Sequence, residues 1–217
     1  MARITGLTSA EEAAKEADLI IEAVPENIGL KQKIFESLDK AAPAHCVFAS
    51  NTSSLKIVDI QATSKRVDKF AGLHFFNPVP LMKLLEVVRG PDTSPETFDK
   101  LVEFGKKLGK TTVDCKDTPG FIVNRLLVPA IFEAIRLVER GDASKEDVDV
   151  AMKLGAGHPM GPFTLADMVG LDTCKNIMDG WHKTYPGVEL FEPSPMLDKL
   201  VAEGKLGKKT GEGFFKY

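Results

Sequence analysis

Residues 18–50, DLIIEAVPENIGLKQKIFESLDKAAPAHCVFAS, decide the fold. DLIIEAV (18–24) is a short apolar run closed by Pro25, and CVFAS (46–50) is another, closed by Asn51, Thr52, Ser53 and Ser54. Short apolar runs without alternation read as strands buried on both faces. Between them Ile28, Leu30, Ile34, Phe35 and Leu38 recur close to helical spacing. The result is a βαβ unit, and its alternation continues. A helical piece near 55–62 is followed by strands KFAGLHF (69–75) and LLEVV (84–88), a helix from about 95 to 108 and a strand TTVDC (111–115). Strands alternating with helices predict an α/β, doubly wound, Rossmann-type sheet with its ligand at the carboxyl ends of the strands. Polar clusters follow Val24, Ser50 and Phe75, at such ends.

After KDTPG (116–120) the pattern changes to helix alone, which places a domain boundary near 116–119 and divides the chain into 1–116 and 117–217. Residues 120–140 predict one long apolar helix, kinked by Pro129 and ended by Gly141. Ser144 followed by Asp147 resembles a capping box opening KEDVDVAMKLG (145–155). Beyond it stand the Pro and Gly punctuation of GHPMGPF (157–163) and EPSPM (192–196), then the closing GKLGKKTGEGFFKY (204–217).

Composition narrows the function classes. The 217 residues are 43% hydrophobic, enough for a sizeable core, and carry a net charge of −3 with lysines and arginines spread along the chain. Nothing there points to nucleic acid or anionic lipid, and an acidic small-molecule substrate stays open. Cys46, Cys115 and Cys174 share no metal or redox spacing, so neither a disulfide framework nor a metal site is expected. No run approaches the roughly 18 apolar residues of a membrane span, and the start MARITGLTSAEEAAKEA lacks the apolar core of a signal peptide. Any import signal would lie outside this chain. The sequence also contains no strand–G-x-G-x-x-G–helix turn for a dinucleotide pyrophosphate: GAGHPMG (155–161) follows a helix, and GEGFFK (211–216) lacks the last glycine. The expectation is a Rossmann-type domain truncated at its amino end.

The motifs LIIEAVPENIGLKQKIFESLD, FASNTSSL, AGLHFFNPVPLMKLLEVV, CKDTPGFIVNRLLVP, ERGDASKEDVDVAMKLGAGHPMGPF and GKKTGEGFFKY, in this order, resemble the short-chain L-3-hydroxyacyl-CoA dehydrogenases of β-oxidation. The resemblance implies an NAD-binding domain followed by an all-helical domain that forms a homodimer, an acyl-CoA substrate and a mitochondrial matrix location. It carries over His74 as catalytic base, with Glu86 orienting it. A neutral imidazole suits removal of a hydroxyl proton near neutral pH, and a carboxylate on its far nitrogen fixes the ring and stabilises the imidazolium. It also carries over Ser53, near the substrate oxygen and the nicotinamide, and Asn124, on the substrate oxygen or a water. Glu26 and Lys31 match positions around the nicotinamide ribose, Asn77 one near the carboxamide, and Lys209 a lysine that reaches the cofactor.

Each residue also has a plain structural reading. His74 reads as a satisfied histidine at a strand end, Glu86 as an edge-strand charge, and Ser53 as a cap for the next helix. Asn124 reads as an interhelical hydrogen bond, and Lys209 as a solvated tail charge. His45, His158 and His182 are expected to be structural, and Trp181 to lie in core or interface. Two rival functions stand beside the dehydrogenase: a non-catalytic fragment or paralogue acting through dimerisation, and an oxidoreductase of a related hydroxy acid.

Overall fold

The computed structural model describes residues 3–217. Contacts divide the chain into two compact units, Met1–Ile122 and Val123–Tyr217.

The first unit opens with a short helix, α1 (Ala10–Ala14), capped by the Ser9 hydroxyl, which accepts the Glu12 N–H at 3.1 Å. There follow β1 (Leu19–Glu22), α2 (Ile28–Ala41), β2 (Val47–Ser50), α3 (Ile57–Ile60), β3 (Phe70–Phe75), β4 (Leu84–Arg89), α4 (Pro95–Lys107) and β5 (Thr111–Lys116). The sheet order is β1-β2-β3-β4-β5. Connections that contain a helix join parallel neighbours, β1 to β2, β2 to β3 and β4 to β5. The short link from Phe76 to Lys83 holds no helix to cross the sheet, and β4 returns antiparallel to β3.

Both faces of the sheet are covered. Phe35 and Leu38 of α2 and Ile57 and Ile60 of α3 pack with Phe48, Phe70 and Val88 on one face. Phe98 and Leu101 of α4 pack with Val47, Ala49, Ala71, Leu73, Leu85 and Val87 on the other. Residues 47, 49, 71, 73, 85 and 87 thus point one way and 48, 70 and 88 the other, as the strand period of two requires. Double burial explains why β2 reads as one continuous apolar run. Phe35 anchors the first core, its ring centroid 4.5 Å from that of Phe70 and 5.4 Å from that of Phe48. Gly72 lets β3 and β4 approach, since a Cβ there would lie 2.7 Å from Val88 Cβ.

One detail of α2 departs from its apolar spacing. Ile28 and Leu30 are exposed, and the buried positions are Lys31, Phe35 and Leu38. The first turn of the helix lies beside a polar cluster at the strand ends, so the buried stripe begins with a charge.

The second unit consists of α5 (Val123–Glu139), α6 (Lys145–Gly155), α7 (Pro162–Val169), α8 (Leu171–Thr184) and α9 (Pro195–Ala202). Phe132, Ile135, Phe163, Leu171, Met178, Trp181 and Phe191 form its core, which places Trp181. The expected helix over 120–140 starts late, at Val123. Gly120 and Phe121 have φ of 77° and 53°, and left-handed residues cannot continue a right-handed helix. Pro129 leaves α5 unbroken, and Gly141 follows its end with φ 78°. The Ser144 hydroxyl accepts the Asp147 N–H at 3.0 Å and donates to the Asp147 carboxylate at 2.7 Å, so this cap is closed between side chains. The buried Asp167 carboxylate accepts the N–H groups of Phe214 and Phe215 at 2.8 and 2.9 Å and pins the closing segment. No helix among the described residues is long and apolar enough to cross a membrane.

Candidate active site

The carboxyl ends of β1, β2 and β3 carry a polar cluster on the face otherwise covered by α2 and α3. Antiparallel pairing sets His74 directly opposite Glu86, so the two side chains share that face. Both are buried. His74 Nδ1 lies 2.6 Å from Glu86 Oε2, and Nε2 lies 3.0 Å from Ser53 Oγ. A carboxylate can only accept, so it assigns the proton to Nδ1 and leaves Nε2 with its lone pair free to receive one. Glu86 Oε1 accepts the Ile122 N–H at 3.1 Å, which fixes the far side of the carboxylate. Phe76 and the left-handed Phe121 pack on the imidazole, with ring centroids 4.4 and 5.6 Å away. The residues twelve apart in sequence therefore form an oriented base whose reactive nitrogen faces a hydroxyl.

Ser53 is held by the turn after β2. Thr52 Oγ1 accepts the Leu55 N–H at 3.1 Å and donates to both oxygens of Glu26 at 2.9 and 3.0 Å. Glu26 also accepts the Ser53 N–H at 2.6 Å. Asn51 Oδ1 accepts the Phe75 N–H at 2.8 Å, tying the end of β3 to the same turn. Behind this layer lies a buried ion pair. Lys31 Nζ donates to Glu22 Oε1 at 2.7 Å and to the Val24 carbonyl at 3.1 Å, and stands 3.6 Å from Glu26 Oε2. Glu22 further accepts the Val24 N–H and the Ser50 hydroxyl, each at 2.6 Å.

His74, Glu86, Ser53, Glu26 and Lys31 are thus brought into one hydrogen-bonded network. Asn77 is exposed on the loop leaving β3. Asn124 and Lys209 belong to the helical unit: Asn124 is half-buried in the first turn of α5, and Lys209 pairs with Asp172 at 2.6 and 2.7 Å. Burial alone would raise the Asp172 carboxyl, and the Lys209 hydrogen bonds together with nearby backbone N–H groups carry it below the usual carboxylate range. His45 pairs with Asp18 at 2.9 Å on the surface. Among the described residues no group of three or more His, Cys, Asp or Glu is arranged to hold a metal ion.

Four participants escaped the sequence reading: Glu22, Ser50, Thr52 and the Ile122 amide. Glu22 had a signal, an acid closing the apolar run LIIE, and Lys31 on the apolar face of α2 is its counterpart. The Ile122 amide had none, because a backbone donor in a left-handed turn carries no side-chain mark.

The donor set suits the nicotinamide ribose end of a dinucleotide. Glu26 keeps 39% of its side chain exposed, leaving carboxylate surface for ribose hydroxyls, and the exposed Asn77 amide can both donate to and accept from a carboxamide.

Comparison with known proteins gives the family of the chain. Residues 1–118 match the family described as 3-hydroxyacyl-CoA dehydrogenase, NAD binding domain, and residues 120–217 match its C-terminal domain. The chain is 62% identical over 215 residues to a probable 3-hydroxyacyl-CoA dehydrogenase of Caenorhabditis elegans, covering 99% of this chain and 70% of that protein. It is 61% identical to human mitochondrial hydroxyacyl-coenzyme A dehydrogenase, over 100% of this chain and 69% of the relative. The crystal structure of (S)-3-hydroxybutyryl-CoA dehydrogenase from Ralstonia eutropha superposes with a TM-score of 0.94 at 43% identity, covering all of this chain and 76% of the other.

Proposed function

The chain belongs to the 3-hydroxyacyl-CoA dehydrogenase family, NAD-dependent oxidoreductases of fatty-acid metabolism, and from that premise we propose that it oxidises an L-3-hydroxyacyl-CoA to the 3-oxoacyl-CoA with His74 as base. The observation that carries this reading is the 2.6 Å contact between His74 Nδ1 and Glu86, which leaves Nε2 as the proton acceptor. When bound, NAD supplies the acceptor for the hydride of the carbinol carbon.

The residues of the chain handle the proton and the geometry. Nε2 takes the 3-hydroxyl proton, and the Glu86 carboxylate stabilises the imidazolium as it forms. Ser53 Oγ, 3.0 Å from Nε2, holds the substrate oxygen against the base, and the family match assigns Asn124 to that oxygen or to a water. Glu26 and Lys31 serve the ribose, Asn77 the carboxamide, and the family match assigns Lys209 to the cofactor. Phe76 and Phe121 keep water from the imidazole, which strengthens each electrostatic contact there.

The protein works as a homodimer in the mitochondrial matrix. Support for the dimer comes from the helical unit, where Leu126 is 69% exposed and Leu154 82% exposed. Support for the compartment comes from the mitochondrial relatives.

The test is turnover of acetoacetyl-CoA with NADH by the purified chain, followed as NADH consumption. Saturable turnover is the expected result. A folded dimer without turnover would replace this reading with the non-catalytic one, and turnover confined to another hydroxy acid would replace the substrate.

A further inference from the structure

Two turns carry the groups that hold the His74–Glu86 pair, and they come from distant parts of the first unit. The turn after β2 brings Ser53 Oγ to 3.0 Å from His74 Nε2. The turn after β5 brings the Ile122 N–H to Glu86 Oε1 and lays the left-handed Phe121 beside the imidazole. Asp117 joins the two turns. Its Oδ1 accepts the Ile57 N–H at 2.7 Å and its Oδ2 the Val58 N–H at 2.8 Å, the opening amides of α3 just beyond Ser53. Its own N–H donates to the Arg89 carbonyl at 3.2 Å, at the end of the strand that carries Glu86. The Thr118 N–H donates to the Lys116 carbonyl at 2.8 Å and the Phe121 N–H to the Thr118 carbonyl at 2.9 Å, so the place of Asp117 carries through to Phe121 and Ile122.

A cap for α3 alone could come from its own sequence. Lys56 holds the N-cap position with φ −69° and ψ 138° and makes no side-chain cap, whereas a serine in that extended conformation would accept an N–H of the first turn. The cap comes instead from a carboxylate 60 residues away. Burial pushes the Asp117 carboxyl above its ordinary value, and the Val58 and Ile57 amides pull it back only in part. The distant carboxylate therefore satisfies these amides at a desolvation cost, and it adds what a local cap lacks: a fixed spacing between the two turns that flank the dyad.

We propose that Asp117 is a positioning residue for the proton transfer, which by gripping the first turn of α3 sets Ser53 Oγ on His74 Nε2 and keeps the Ile122 amide on Glu86. This deepens the proposed function and rests on it for its kinetic arm.

The test uses Asp117→Asn, Asp117→Ala and Asp117→Ala/Lys56→Ser, each with its melting temperature. The asparagine keeps the shape and leaves one oxygen for two N–H groups. Misplacing reacting groups by about an ångström costs up to about 100-fold, so kcat with acetoacetyl-CoA and NADH should fall by about 10- to 100-fold while the KM for NADH stays within about threefold. In Asp117→Ala/Lys56→Ser the local cap should raise the melting temperature above that of Asp117→Ala while kcat stays low, and Lys56→Ser alone should leave kcat unchanged. A kcat within about threefold of the unmodified chain in folded Asp117→Asn would overturn the proposal. So would recovery of melting temperature and kcat together in Asp117→Ala/Lys56→Ser, which would reduce Asp117 to a cap for α3.

A second arm needs neither substrate nor cofactor. The imidazole ¹⁵N resonances of His74 report the hydrogen bonds of Nε2 to Ser53 and of Nδ1 to Glu86, and they should shift in Asp117→Asn. Unchanged resonances in that folded variant would also overturn the proposal. If the unmodified chain shows no turnover, the proposed function fails, and these resonances still decide the positioning claim.

Discussion

Replacing Glu86 by glutamine exchanges one oxygen for NH2 and probes the dyad at its least exposed member. Glu86 is fully buried, with Oε2 2.6 Å from His74 Nδ1 and Oε1 accepting the Ile122 N–H at 3.1 Å. Each partner donates, so a carboxylate satisfies both and an amide oxygen satisfies one. If the glutamine oxygen stays on Ile122, its NH2 faces Nδ1. The ring then carries its proton on Nε2, and the base is lost. If the oxygen turns to His74, the Ile122 N–H meets an NH2, an unmade hydrogen bond costing about 1–3 kcal/mol. That cost favours the first arrangement by about 5- to 150-fold. A wrong tautomer in a histidine–carboxylate pair lowers kcat by about 10⁴-fold, or about 5 kcal/mol of barrier. Glu86→Gln should therefore lose about 10³- to 10⁴-fold in kcat with acetoacetyl-CoA and NADH, while KM stays within about threefold. The melting temperature should stay close to that of the unmodified chain. A kcat within about threefold of the unmodified chain, or a loss carried by KM alone, would refute the orienting role.

Two further outcomes concern the rest of the molecule. Burial, reinforced by nearby carboxylates, pushes the thiols of Cys115 and Cys174 up to about 12, so both are neutral in the folded protein and alkylation at pH 8 should proceed only at the rate of global unfolding. These raised values favour the fold below the ordinary thiol value of about 8.5, and that contribution is lost as pH climbs toward 12, so stability should fall across that window. Rapid labelling of the folded protein would contradict the burial. Leu154→Glu places a charge at the most exposed apolar position described in the helical unit; sedimentation should show the proposed dimer replaced by monomer with helicity retained, and an unchanged sedimentation coefficient would remove α6 from the proposed interface.

Several features were legible from residue order because they depend on reach and period. The link NPVPLMK is too short to carry a strand across the sheet, so β4 returns antiparallel to β3 and the register sets His74 opposite Glu86; the residue order itself asked only that AGLHF and LLEVV be close for Glu86 to reach His74. The same reasoning placed the helices that separate the parallel strands. What stayed hidden depends on tertiary context. Leu30 fits a helical apolar stripe and is exposed, whereas Lys31 looks like a surface charge and is buried, because Glu22 stands at the end of the neighbouring strand. The start of α5 was misplaced by three residues, since Phe121 takes a left-handed conformation usually left to glycine. In the helical half, the punctuation read in GHPMGPF and EPSPM coincides in the structure with the starts of α7 and α9, while the break between α7 and α8 rests on the φ of 103° at Gly170.

The central claim is that His74 Nε2 moves the proton of the reacting hydroxyl, and the kcat of His74→Ala tests it most directly. General acid–base catalysis contributes about 10²- to 10⁴-fold, so kcat should fall by at least about 100-fold while NADH binding and melting temperature stay unchanged. Retained turnover in His74→Ala, in a protein shown to be folded, would contradict the account.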